Sequence, residues 1–329
     1  MKTITLVRTS ALLALAAGAA FAGPLDPPAG PVAPTGKTLA EVEPRIAINS
    51  INTPGDSSWM HRITQPGSYY LTGNLVVSPN KSGIFIDAEN VTIDLNGFEI
   101  SYSGPDSDSS GIEASDDEIP ERGCTVKNGA IRGFHGSGVS LDDSSTVENV
   151  RVRGNGSSSY GILVSSHGRV SGCSVTGANI GIAASYAAIV ENCTSAENSQ
   201  SGYSVVGAVV RGCTAMNNAS YGIYAQAGAV VEGNRLYNNG VASGSAIAIA
   251  GEGSVVRDND IRGGWVGVRL NTGAADNLVA ANRIRGTGSW PIVMSGQAQN
   301  TFPNNHVAQI ITNPASPFTA TNPFANIEY

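Results

Sequence analysis

From Gly83 onward, apolar and polar residues alternate in short runs that break and restart about every twenty residues. Alternation over four to six residues predicts a half-buried strand, not the three-to-four spacing of an amphipathic helix. The runs begin at Gly83, Gly111, Gly138, Gly161, Gly181, Gly202, Gly222, Ala246, Gly267 and Pro291, in steps of 20 to 28 residues. A second landmark follows each start in most units: Val126, Val147, Val170, Val190, Val210, Val231, Val256 and Val279. Two places later stand Asn128, Asn149, Gly172, Asn192, Gly212, Gly233, Asp258 and Ala281. All but Ala281 tolerate a left-handed backbone, which a sharp corner between two strands requires. One place further come Gly129, Val150, Cys173, Cys193, Cys213, Asn234, Asn259 and Asn282, and then another apolar position from Ile131 to Ile284. The unit is strand, corner, strand.

Short strands and corners repeated at this period, without helices, predict a β-solenoid. One coil cannot bury its apolar side alone, so the core comes from stacking on its neighbours. Leucine-rich repeats share the period, but their Leu-x-x-Leu-x-Leu signature is missing. Ile84, Ile86, Val139, Leu141, Ile162 and Val164 are the expected interior of the strand that begins each coil. Asn234, Asn259 and Asn282 are expected to stack at about 4.8 Å and to hydrogen-bond along the column. Trp59 to Leu71 is expected to close one end and Asn313 to Tyr329 the other.

From about Ile63 to Ile311 the chain resembles the right-handed parallel β-helix proteins of the pectate-lyase-like superfamily. Thr64-Gln65-Pro66-Gly67-Ser68-Tyr69-Tyr70-Leu71 is similar to the opening strand of many members. Asn322-Pro323-Phe324-Ala325-Asn326-Ile327-Glu328-Tyr329 is similar to the ending of secreted bacterial members with no assigned activity. The resemblance implies an all-β fold, a right-handed parallel β-helix of about ten coils with terminal caps. It also implies a ligand face on the outward side of the strand that begins each coil. One fold hosts many chemistries, so the site must be argued separately.

Composition then narrows the partners. The chain has 329 residues, 40 of them glycine, a net charge of −7 and only 14% charged residues. Lys2, Lys37, Lys81 and Lys127 are its only lysines. This balance speaks against a nucleic-acid partner. Met1 to Ala22 reads as a signal peptide, with Lys2 and Arg8 before the apolar run Ala11–Ala17 and small residues at Ala20 and Ala22. The expected organisation is a signal peptide at 1–22, a Pro/Gly-rich extended segment at 23–58, the parallel β-helix at 59–312 and a C-terminal tail or cap at 313–329. No later stretch is long and apolar enough to span a bilayer. The expected location is therefore secreted, periplasmic or cell-surface.

Cys173, Cys193 and Cys213 share one repeat position, which favours buried free thiols over a disulfide framework. A metal site there lacks histidine.

Three groups of residues carry candidate chemistry. Asp116, Asp142, Asp143 and His167 cluster in coils two to four and are the catalytic candidates. Asp142-Asp143 followed by His167-Gly168 is similar to the polygalacturonase pattern, but Ser166 stands where that family has glycine and no Arg-x-Lys follows. Asp87 and Asp142 lie two coils apart in one column, roughly 9.6 Å, near the upper end of an inverting carboxylate pair. Asp106, Asp108 and Asp117 resemble a calcium loop, although Gly111 to Ser115 is also needed as a strand. Tyr224, Gln226, Arg269 and Asn271 offer a stacking and hydrogen-bonding sugar site. The expected protein is exported, binds polysaccharide or another surface component, and needs no cofactor unless calcium serves. One alternative is a polysaccharide lyase or glycoside hydrolase acting through the acidic cluster. Another is a purely structural surface protein.

Overall fold

The stacking of like residues seen in the sequence is realised residue for residue. Val126, Val147, Val170, Val190, Val210, Val231, Val256 and Val279 are parallel partners in successive strands, and each is wholly buried. The computed structural model describes residues 44–105, 108–114, 123–155, 159–240, 242–294, 300–302, 305 and 310–312. These belong to one compact unit, Glu43–Tyr329. The described residues form strands, turns and bends with no helix.

Each coil has three strands. The first strands make a 12-stranded parallel sheet running from Trp59–Ile63 through Ser82–Ile86 to Trp290–Met294 and Ile310–Thr312. The second and third strands fold into one 19-stranded sheet, bent at the corner that follows each landmark valine. Trp59–Ile63 pairs in parallel with Ser82–Ile86 and is the end strand of this sheet, so the segment expected at this end is itself a coil strand. Ile46–Ala47 lies one step beyond, paired with the Tyr69–Tyr70 part of Gly67–Tyr70, and Ile48 is buried beside it. Residues 313–329, expected as the other cap, lie outside the described residues.

The corners explain the Asn and Gly repeat. Asn128, Asn149, Gly172, Asn192, Gly212, Gly233 and Asp258 all have φ between 54° and 63°. Ala281 adopts the same left-handed conformation at 53° and carries its strain. The glycines that open the coils have a different reason. A Cβ on Gly202 would lie 2.6 Å from the Gly222 carbonyl oxygen, and one on Gly181 would lie 2.6 Å from that of Gly202. The backbones approach too closely for a side chain there.

The core is aliphatic, and all six expected interior residues are 0–1% exposed. Tyr203 is the exception in size. It is fully buried between Ile182 and Ile223. Its hydroxyl lies 2.8 Å from Cys193 O and 2.9 Å from Thr214 O, with one proton to serve both carbonyls. In the third strands, Ser195 and Ala215 stand where Val175 and Leu236 flank them, so small residues make room where the ring crosses the interior. Cys124, Cys173, Cys193 and Cys213 are all free and buried. The thiol column continues directly into amides. Cys213 N donates to Asn234 Oδ1 at 2.8 Å, and the Asn234, Asn259, Asn282 and Asn305 side chains bond in series at 2.9–3.0 Å. A second ladder, Asn198–Asn218–Asn239, runs at 2.8 Å beside the corner that leads to the next coil.

Candidate functional site

The outward face of the first sheet is a register of single columns. Phe85, Glu113, Ser140, Leu163, Ala183, Ser204, Tyr224, Ala248, Arg269 and Val293 follow one another as direct partners. Chemistry on this face therefore depends on which side chains fall within one or two strands of each other.

Tyr224, Gln226, Arg269 and Asn271 do fall together. Tyr224 and Arg269 flank Ala248 in one column, about 9.6 Å apart at two strand spacings. Gln226 is partnered by Ala250, and Asn271 follows on the next strand, its N–H bonding Ile249 O. Ala248 is fully buried although it points outward, because its larger neighbours close over it. The Arg269 guanidinium is anchored by Ser245 Oγ at 3.0 Å and Ser243 O at 3.1 Å. The Tyr224 ring stacks on Tyr221, centroids 5.3 Å apart and planes 24° from parallel. Tyr221 was not among the sequence candidates, though it stands three places before Tyr224 on the same strand. The result is a half-buried aromatic pair beside a fixed guanidinium, with two amides along one side. Such a surface can stack a sugar ring and hydrogen-bond its hydroxyls.

The acidic candidates are placed differently. Asp142 and Asp143 follow the strand Val139–Leu141 and occupy a corner, not the flat face. Asp143 Oδ1 accepts from Ser166 N at 3.0 Å and so braces the next corner. His167 sits at that corner with φ 59°, in the same place as Ser144 at 58° and Ala187 at 58° in adjacent coils. Histidine is among the residues enriched in the left-handed region, which gives His167 a backbone role. The structure brings Asp142, Asp143 and His167 onto neighbouring corners. Asp116, Asp106 and Asp117 lie outside the described residues, and Asp108 is exposed. Ile112–Glu113 is a strand paired on both sides, so the segment between Asp106 and Asp117 is not a continuous loop. Among the described residues no group of three or more His, Cys, Asp or Glu side chains is arranged to hold a metal ion.

Asp87, the partner considered for Asp142, is already engaged. Arg62 Nε and Nη2 donate to it at 3.0 and 2.8 Å, and Arg62 also reaches Asp56 at 3.3 Å. Its guanidinium lies over the Phe85 ring at 4.9 Å, and Phe85 packs on Trp59 at 5.0 Å. A carboxylate gripped this way is occupied by the protein itself and is not free to meet a substrate. Backbone N–H groups of Ser58 and Trp59 hold the Asp56 carboxyl below its usual range.

A charged ladder on the second strands escaped the candidates altogether. Lys127, Glu148, Ser171, Glu191, Arg211, Glu232 and Arg257 are successive partners, each one place after a landmark valine. Glu191 is nearly buried and is clasped by Arg211, at 2.7 and 2.9 Å, and by Arg169. Hydrogen bonds from Arg211, helped by Arg169, hold its carboxyl below the usual range against the opposing effect of burial. A shallow trough of about 400 Å³ runs along Glu191, Arg211, Glu232 and Asp258. Glu191 and Glu232 are held there by Arg211 and Arg257, which suits a stabilising outer rib.

Comparison with known proteins gives the fold and no finer function. Among curated proteins none matches the sequence. Among solved structures, a point-mutant form of the periplasmic alginate epimerase AlgG is similar, with a TM-score of 0.51 and 13% identity over 81% of each chain. The ORF18 protein of Geobacillus virus E2 is similar with a TM-score of 0.52 and 13% identity, over 80% of this chain and 56% of that one. No helix among the described residues is long and apolar enough to cross a membrane. The model of the right-handed beta helix region matches residues 110–254 and 207–313, more than half of the sequence. The chain thus belongs to the right-handed parallel β-helix proteins.

Proposed function

We propose that this is an exported protein that binds a polysaccharide on the outward face of its first sheet, at Tyr221, Tyr224, Gln226, Arg269 and Asn271, without cleaving it. The observation that carries the reading is the stacked tyrosine pair beside the anchored Arg269. Aromatic faces and fixed polar groups on rigid strands cost little ordering entropy on binding. Export rests on the sequence of Met1–Ala22. A periplasmic alginate epimerase among proteins of the same fold accords with both parts of the reading.

A depolymerisation and binding panel of neutral and acidic polysaccharides tests it. Retention without chain shortening is expected, weakened at least tenfold by Tyr224→Ala. Chain shortening that Asp142→Ala and Asp143→Ala abolish would replace this reading with the hydrolase or lyase alternative. That alternative is favoured by one observation, the meeting of Asp142, Asp143 and His167 on adjacent corners. Intact retention by Tyr224→Ala would move the binding site elsewhere.

A further inference from the structure

The outward face of the third strands has a charge opposite to that of the whole chain. In the middle coils it is neutral: Ser174, Thr194 and Thr214 form one column, Thr176, Ala196 and Met216 the other. In the last coils the same columns become Arg235, Asp260, Arg283 and Tyr237, Arg262, Arg285. Four arginines and one carboxylate occupy three adjacent strands of a chain whose net charge is −7.

Stability alone does not account for this arrangement. Arg262 and Arg285 are direct partners on neighbouring strands, and like charges placed so are destabilising. Among the described residues only Arg285 of the four is ion-paired, to Asp260 at 3.1 Å. The Arg285 Nε–H is buried without a hydrogen-bond partner, so the cluster's demand for acceptors exceeds what the protein supplies. Arg235, Arg262 and Arg283 are exposed. The contrast with the second strands is direct, because there Glu191, Arg211, Glu232 and Arg257 alternate and neutralise one another.

We infer that this face is a second binding surface, separate from the tyrosine platform, and that its ligand is a linear acidic polysaccharide. Arginines repeat one to two strand spacings apart, about 4.8 to 9.6 Å, on rigid strands. That interval suits carboxylates or sulfates carried on successive sugar residues, which guanidinium groups bind in a bidentate fashion. Tyr237 is 45% exposed within the cluster. Trp265, 40% exposed, lies on the corner that follows Asp260–Arg262, and Trp290, 43% exposed, opens the strand after Arg283–Arg285. Aromatic faces beside guanidinium groups fit a sugar chain. A chain of net charge −7 with one short basic face lacks the clustered Lys and Arg that nucleic-acid binding draws on.

Retention of the full chain on immobilised polygalacturonate and dextran sulfate tests this, with neutral dextran, phosphatidylglycerol vesicles and single-stranded DNA as comparisons. The expected result is binding to the two acidic glycans that falls with salt. An Arg262→Ser/Arg283→Ser double variant should lose at least tenfold while its urea unfolding midpoint stays within error. Arg257→Ser, on the paired second-strand rib, should leave acidic-glycan retention unchanged, which ties the loss to this face and not to the net charge. Wild-type retention by the double variant, equal retention on neutral dextran, preference for vesicles or DNA, or no binding by the native chain would each overturn the inference.

Discussion

One interior column holds thiols in its first half and amides in its second, and the two halves solve the same problem in unequal ways. Cys173, Cys193 and Cys213 fill the space behind the corner. Their sulfurs accept one weak backbone bond, Cys173 N to Cys193 Sγ at 3.4 Å, and donate to nearby carbonyls at 3.2–3.6 Å. Asn234, Asn259 and Asn282 occupy the equivalent place, and each satisfies a backbone N–H of the preceding coil, a carbonyl and the next amide. The thiol half coincides with Tyr203, whose hydroxyl reaches Cys193 O and Thr214 O across the interior. A small apolar group suits coils that must house that ring, whereas an amide ladder suits coils with no such bridge. Hydrogen bonding to the adjacent thiols, with burial, pushes the Cys193 thiol up, so it stays protonated and inert.

The largest expected effect is in the amide half. Asn259→Ala strands the Asn234 N–H and side-chain amide, together with the Val231 and Asn282 acceptors. At ~1–3 kcal/mol for each buried unsatisfied group, the loss is at least ~4 kcal/mol. Cys193→Ala removes a small apolar group and weak bonds, for ~1 kcal/mol. Urea unfolding of the two variants checks the ordering, and equal losses would erase the distinction between the halves. Tyr203→Phe comes next, at ~1 kcal/mol, since the hydroxyl is lost to Thr214 O while Cys193 O keeps the Thr214 N–H at 2.8 Å. If Tyr203→Phe is neutral, the small residues Ser195 and Ala215 accommodate ring volume alone.

The amide half was legible in the sequence because its spacing follows the landmark valines. The ladder Asn198–Asn218–Asn239 was equally periodic, at steps of 20 and 21, yet it lies away from those valines. What could not be read was pairing between coils of unequal length. Asp87 reads as an isolated outward carboxylate until Trp59–Ile63 is recognised as a coil strand, which places Arg62 against it. Arg262 and Arg285 stand one place after Ile261 and Ile284, so their pairing was already implied by the landmark columns and went unused. Tyr224, Gln226, Arg269 and Asn271 were found because they share the columns of one strand type. The acidic candidates were found by column position and by likeness to a family pattern, and Asp142, Asp143 and His167 lie where their strands turn.

The outer ribs sharpen the comparison further. Glu191 lies over the thiol half, where Cys193 Sγ–H donates to its carbonyl at 3.2 Å. Because Arg211 and Arg169 lower its carboxyl, its contribution is fully present above the unfolded value of about 4.3 and is lost as pH falls through the lower folded value. Glu191→Gln should cost ~1 kcal/mol at pH 7, a modest figure because both arginines are half exposed and screened. The cost should shrink as the pH is taken from 7 toward 3, as the wild-type side chain takes up its proton. Urea midpoints at the two pH values check this, and a pH-independent difference would mean that shape rather than charge sets the role of Glu191.

The smallest effect belongs to the amide half, where one corner departs from the residue types found at the others. Ala281 holds φ at 53° where its counterparts are Asn, Gly or Asp. An L-residue pays ~1–2 kcal/mol for this conformation, while glycine adopts it freely but loses more chain entropy on folding. The difference predicts that Ala281→Gly stabilises by under ~1 kcal/mol. The same change at Ala280, whose backbone is extended strand, should destabilise by a similar amount. Opposite signs at adjacent positions would tie the effect to the corner conformation, since side-chain loss is identical in both. Equal signs would show that the Asn282 ladder, and not the φ of Ala281, sets the stability of that corner.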